Sequence, residues 1–366
     1  MSVYLDYNAT APLRTASAQA MKDFMSLVGN ASSVHKFGRD IRARIEEARK
    51  SLANCLKVNT DQLIFTSGAT EANNTILQGF TGPVVVSATE HASVLQPRGD
   101  CLICPVDANG VLQLADLDQL LSNCKKPALV SVMLANNETG VIQPITEIAK
   151  IIKKHQSKFH CDAVQALGKV KSDNLMQLAD VISVSAHKIG GPQGIGAIVF
   201  NKSFPLNAMI RGGGQERRWR GGTENTIGAV GFGAAVRDIS EDDLAATKDI
   251  RDQIEQEILT YCPEAKIIGA AAERTPNTCN IVMPGVKSET QVMNFDIAGI
   301  AVSAGAACSS GKVQTSHVLA AMGLSKAEQE CSLRVSLGWQ TTAKEATTFV
   351  DAWQRIYSRC KELDLN

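Results

Sequence analysis

The sequence predicts an α/β fold, a mainly parallel sheet covered by helices in a large domain with a smaller α+β domain beside it. Three observations carry this. From about residue 60 to 200, short β-rich runs alternate with helical periodicity, the pattern of parallel strands joined by helical crossovers. Several of these runs end in polar, Gly-rich or ionisable residues, as strands do where an open sheet gathers its ligands. From about 245 the composition changes to a charged helix followed by shorter strands. The division expected is 15–245 for the large domain, with 1–14 and 246–366 forming the small one.

Strands are expected at 63–66, 84–88, 129–134, 159–162, 181–185 and 196–200. A helix over 39–56 follows from apolar Ile41, Ile45, Ala48 and Leu52 at spacings of four, three and four, and another over 145–155 from Ile148, Ile151 and Ile152. The run 211–223 is rich in glycine and arginine, too polar for a core, and reads as a loop before a small-residue helix to about 239. Further on, a charged helix is expected at 248–260, strands near 280–283, 301–303 and 333–337, and a final amphipathic helix at 344–361.

Composition narrows the function. The 366 residues hold 37 Lys plus Arg against 37 Asp plus Glu, so the basic footprint of a nucleic-acid or anionic-membrane binder is missing. At 44% hydrophobic and 20% charged, the balance is that of a folded chain. No apolar run nears the ~18 residues of a membrane span, and the first residues lack the basic start and apolar stretch of a secretory signal. A cytoplasmic protein is expected. The 10 cysteines are scattered and read as reduced thiols. Cys101 and Cys104 have knuckle-like spacing but no second pair, so no metal is expected.

The chemistry-bearing residues lie at the expected strand ends. Lys188, past the 181–185 run and followed by Gly190, Gly191 and Gly194, is placed for Schiff-base chemistry with an aldehyde cofactor; its alternative is a surface lysine in a turn. Asp162 ends an apolar strand and could keep a pyridine nitrogen protonated, with Gln165 one turn on, or could simply cap a helix. Ser67, Gly68, Ala69 and Thr70 form a strand-to-helix turn that suits a phosphate, or ordinary capping. His91 could stack on a ring or move protons, and Asn137 could hydrogen-bond a ligand. Cys308, among small residues with Lys312 nearby, is the nucleophile candidate, against the common fate of cysteine as a small buried hydrophobe.

Taken together, these motifs resemble the cysteine desulfurases, pyridoxal-phosphate enzymes of the class-V aminotransferase superfamily. The resemblance spans nearly the whole chain: 4–10, 29–35, 65–71, 89–91, 136–138, 162–165, 185–188, 212–214, Gly222 with Thr223, 306–309 and 333–338. It implies fold type I of the pyridoxal-phosphate enzymes. Lys188 would be the Schiff-base lysine and Cα proton carrier, Asp162 the partner of the pyridine nitrogen, Gln165 the contact to the ring hydroxyl, and His91 the stacking, proton-transferring group. Ala69, Thr70, Ser185 and His187 would hold the phosphate, with Thr223 reaching in from the second subunit of a homodimer. Arg334 and Asn137 would bind the carboxylate of L-cysteine. Thiolate Cys308 would take the substrate sulfur as a persulfide, releasing L-alanine, and pass it to an acceptor protein such as an iron–sulfur scaffold.

The 308–319 segment resembles the long-loop, cluster-assembly subgroup. Three positions depart from the family pattern: Ala31 for proline, Arg211 for histidine and Gln193 for lysine. The tail after Gly338 is shorter than in housekeeping members, which puts scaffold docking in question. Rival readings are another reaction on the same cofactor (selenocysteine lyase, sulfinate cleavage, transamination or epimerisation), a non-catalytic sulfur relay, and a thiol hydrolase pairing Cys308 with His317.

Overall fold

A computed structural model describes residues 2–171, 174–304 and 315–364. Its centre is a seven-stranded sheet built from β2 (Leu63–Thr66), β3 (Val84–Ser87), β4 (Leu102–Cys104), β5 (Leu129–Met133), β6 (Lys158–Asp162), β7 (Val181–Ser185) and β8 (Gly196–Phe200), after a short β1 (Val3–Tyr4). The order across the sheet is β2-β8-β7-β6-β5-β3-β4, and only β8 runs against its neighbours. The expected mainly parallel sheet is therefore present. Strands β2, β3, β5, β7 and β8 are buried along their whole length, which is why they read as continuous apolar runs rather than alternating ones. β4 pairs at the sheet edge, with Leu102 and Ile103 exposed.

Four further strands follow among the described residues. β9 (Lys266–Ile267), β10 (Thr278–Val282) and β12 (Ser332–Ser336) form an antiparallel sheet, and β11 (Ile300–Ala301) pairs with β1 in parallel. Val3 and Leu5 share a core with Ile254, Ile281, Leu333, Phe349 and Trp353, so the first residues pack on the C-terminal third. A separate core joins the sheet to the helices Lys36–Cys55 and Thr226–Arg237.

The expected helix at 39–56 is observed as Lys36–Cys55, opening earlier because His35 Nδ1 accepts from the Gly38 N–H. The 211–223 run is mostly irregular, but its reading as too polar for a core is corrected: Gly221 is buried, Trp219 packs against a core cluster, and one charged residue goes inside. Glu216 is buried, satisfied by a buried arginine and a backbone N–H that no local pattern reveals.

Candidate active site

The strands β2, β3, β5, β6 and β7 all run the same way, so their carboxyl ends deliver side chains to one edge of the sheet. Lys188 follows β7 in a short 3-10 turn, Ala186–Lys188. Its Nζ donates to the backbone oxygens of Asn8 (2.6 Å) and Ala9 (2.8 Å). Burial and the Arg334 charge push the ammonium's pKa down to about 8, while Asp6 and Asp162 pull it up. The amine therefore gives up its proton more readily than an ordinary lysine. Gly190 lets the chain turn away beside it: φ is +80°, and a Cβ there would meet the Trp339 ring at 2.5 Å.

Asp162 closes β6, buried. Its Oδ1 accepts from the Val164 N–H (3.0 Å) and its Oδ2 from Asn73 Nδ2 (2.8 Å). Burial raises its pKa, opposed by those two hydrogen bonds and by the His91 and Lys188 charges. The same Asn73 amide nitrogen donates to Ser93 Oγ (2.9 Å), which lies 2.8 Å from His91 Nδ1. Because the Ser93 N–H also donates to Nδ1 (3.1 Å), that nitrogen is an acceptor, and the neutral ring carries its proton on Nε2. Desolvation lowers the His91 pKa, partly offset by Asp162 and reinforced by Lys188 and His317.

Ala69 and Thr70 open the helix Ala69–Gly79, whose N-cap Gly68 supplies no side-chain cap, so the first-turn N–H groups face outward without one. Gly196 of β8 makes this turn fit the sheet, since a Cβ there would lie 2.7 Å from the Gly68 backbone. Ser185 is buried at the end of β7, and His187 Nδ1 lies 2.9 Å from Thr10 Oγ1, its pKa pushed down to about 4 by burial and the nearby lysines 188 and 169.

Arg334, buried on β12, donates from Nη1 to the Asn137 backbone oxygen (3.1 Å) and from Nη2 to Asp6 Oδ1 (2.7 Å), while its Nε has no partner among the described residues. Gln165 Nε2 donates to the Asn8 oxygen (3.0 Å), which also receives Lys188. Lys188, Asp162, His91, Gln165, Asn137 and Arg334 are therefore joined through shared partners and mutual charges. Thr223 stands exposed on its loop, and among the described residues no hydrogen bond joins it to them. Cys308 and Lys312 lie outside the described residues.

Residues 3–349 match the aminotransferase class-V family. The chain belongs to this family. Among its relatives, the cysteine desulfurase IscS of Dictyoglomus turgidum is 37% identical, the alignment covering 99% of this chain and 96% of that protein. A cysteine desulfurase of Sinorhizobium fredii is 40% identical, covering 92% and 91%. A solved NifS-like protein from Rickettsia africae superposes with a TM-score of 0.91 at 33% identity, covering 98% of this chain and 100% of that one.

Four residues of this class-V site carried no role in the sequence reading: Asp6, Asn8, Asn73 and Lys169. Asp6 and Asn8 fall in the 4–10 motif and Asn73 follows the phosphate turn, so their neighbourhood is visible, but the partner that gives each residue its place is 89 or more positions away. Cys101 and Cys104 lie at the sheet edge; burial holds the Cys104 thiol up at about 12. No helix among the described residues is long and apolar enough to cross a membrane.

Proposed function

We propose that this class-V enzyme is a cysteine desulfurase that holds pyridoxal 5′-phosphate, converts L-cysteine to L-alanine, and carries the sulfur as a persulfide on Cys308 to an acceptor protein. The observation that carries the reading is the pairing of Lys188, an amine with a pKa lowered to about 8, with Asp162, a buried carboxylate that has no ion-pair partner within hydrogen-bonding reach among the described residues.

The residues fit the cofactor. A buried carboxylate held by two N–H donors suits a protonated ring nitrogen. The uncapped start of the Ala69–Gly79 helix suits a phosphate, which Thr70, Ser185 and His187 would help hold. Gln165 would meet the ring hydroxyl, and Arg334 Nε, a buried donor without a partner, would complete a grip on the substrate carboxylate together with Asn137. When bound, the cofactor would supply an electron sink for charge developing at the substrate Cα.

Around it the protein's own groups divide the work. Lys188 Nζ, released from the Asn8 and Ala9 oxygens, would be the amine that holds the cofactor and the group that moves the Cα proton. His91 presents Nε2–H as a donor and stays neutral because of desolvation. The Cys308 thiolate attacks the substrate sulfur: its S–S bond forms as the substrate C–S bond breaks, and the electron pair stays with the departing carbon fragment, which takes a proton and leaves as L-alanine.

A homodimer of this chain, with Thr223 serving the partner's phosphate site, and a reducing cytoplasmic setting belong to the same proposal. The apolar surface of residues 25–37 supports the first. The buried thiols of Cys104, Cys161, Cys262 and Cys279, which form no disulfide among the described residues, support the second. The small-domain assignment of 1–14 with 246–366 is supported by the core shared by Leu5 and Trp353.

The deciding experiment measures L-alanine from L-cysteine with a reducing thiol present, using cofactor-loaded protein and its Cys308→Ala variant. Alanine from the parent and almost none from the variant is expected. Alanine from neither sends the assignment to another amino substrate, and equal yields remove Cys308 from the chemistry.

A further inference from the structure

Lys169 is a buried lysine for which the chemistry above has no use. It sits two turns beyond Asp162, and its Nζ donates to Gln165 Oε1 (2.5 Å) and Asn8 Oδ1 (2.8 Å), with no carboxylate among its hydrogen-bond partners. An ammonium in such a place costs stability, because two amide oxygens do not replace water and a counter-ion. As an ammonium Lys169 has donors and no lone pair to accept with, so both amides are fixed by it. Gln165 must turn its oxygen toward Lys169 and its NH2 the other way, where one N–H reaches the Asn8 backbone oxygen (3.0 Å). Asn8 must likewise point its amide oxygen at Lys169 and Asn277, and its NH2 at Asn137 O and Thr278 Oγ1. The backbone oxygen of Asn8 is the one that receives Lys188 Nζ (2.6 Å), so the two lysines grip one residue from two sides.

We propose that Lys169 is a positioning residue: it locks the Gln165 amide so that only N–H donors face the cofactor's ring oxygen, and it places a second cation behind Lys188. The inference rests on the pyridoxal-phosphate reading. Its electrostatic half holds below the lowered pKa of Lys169, where the amine still carries its charge against burial and two like neighbours. The charges acting on Lys169 are those of Lys188 and Arg334, burial and these two push its pKa well below the ordinary lysine range, and His187 feels both lysines. A negative ring oxygen next to Gln165 would be stabilised by that amide donor and by the nearby cation. Removing Lys169 weakens both effects, and both losses raise the pH at which the bound cofactor gives up its proton.

The test uses Lys169→Met and Lys169→Gln in the full chain, with pyridoxal phosphate as the probe. Three quantities are read: thermal unfolding of the cofactor-free protein, affinity for the probe, and the pH midpoint of its visible absorbance when bound. For Lys169→Met the cofactor-free protein should unfold at a higher temperature than the parent, affinity should fall about tenfold, and the midpoint should rise by about one pH unit. Lys169→Gln, which keeps a donor for Gln165 Oε1 but no charge, should recover most of the affinity with the midpoint still raised. Unchanged midpoints in both variants overturn the inference, whatever happens to affinity, because a purely structural lysine would leave the spectrum alone. A parent protein that takes up no pyridoxal phosphate overturns the cofactor reading first and this inference with it.

Discussion

Lys188 is held between opposing influences, and the balance makes a prediction with a definite sign. Its pKa in the fold is about 8, below the ordinary 10.5, with burial the leading cause and Arg334 next. Below pH 8 the amine is protonated in both folded and unfolded chains, and the native state bears the full cost of a poorly solvated ammonium, about 3 kcal/mol at most. Between pH 8 and 10.5 the folded chain has lost the proton while the unfolded chain keeps it, so the cost shrinks, and above 10.5 it is gone. Cofactor-free Lys188→Met should therefore be more resistant to urea than the parent at pH 7, by a margin that narrows as pH rises to 10. A margin independent of pH would show that Lys188 titrates normally. In the parent, the rate of pyridoxal-phosphate capture should climb with pH and level off above about 8. Lys188 and Asp162 were legible in the sequence because each directly follows or ends an apolar strand. Asn73 and Lys169 were not: each is a polar residue on a helix or turn whose meaning comes from a partner on another element, Asp162 for one and Asn8 for the other.

Elements are legible where their apolar pattern is regular and obscure where a single buried charge decides the path. The core strands β2, β7 and β8 fall where expected to the residue, whereas the turn Glu216–Arg218 was invisible. There Glu216, Arg217 and Arg218 take φ of 43°, 56° and 73°, a left-handed run of three non-glycine residues costing roughly 1–2 kcal/mol each. What holds it is the Glu216 carboxylate, bound by Arg49 Nη1 (2.8 Å) and Nη2 (2.7 Å) and by the Phe65 N–H (2.9 Å). Arg49 in turn lies over the Phe65 ring and donates to the Leu63 oxygen, so the pair ties this loop to β2. Nearby, Arg220 pairs with Glu71 in the first turn of the phosphate helix. Glu216→Ala should destabilise the protein by about 2–4 kcal/mol, since it leaves the Phe65 N–H and the two Arg49 Nη groups without their carboxylate, with Glu46 still paired to Arg49 Nε. Arg218→Gly, which relieves one left-handed residue, should stabilise it by about 1 kcal/mol. Urea unfolding of the two variants checks both signs, and a destabilised Arg218→Gly would show that its side chain matters more than its backbone.

At the scale of the whole molecule, the surface explains what a single copy leaves unfinished. Val28, Val34 and Phe37 are 74%, 87% and 57% exposed, close together in sequence and far more apolar than a solvent-facing segment needs to be. Thr223, expected to reach a phosphate, is also exposed and joined to none of the site residues of its own chain among those described. Both facts are accounted for if two chains associate and each lends Thr223 to the other's Lys188, and that arrangement can be separated from a one-chain site by mixing two defective proteins. Lys188→Ala cannot capture the cofactor, and Thr223→Ala holds it weakly. If Thr223 acts across the interface, a mixed dimer has one doubly defective site and one intact site, so an equal mixture, dissociated and reassociated, should regain about a quarter of the parent's alanine production at limiting cofactor. If Thr223 serves its own chain, every site in the mixed dimer carries a defect and mixing adds nothing. Val34→Asp combined with Phe37→Asp should leave the protein a monomer by sedimentation and abolish the regain, because the intact site exists only while two chains are joined.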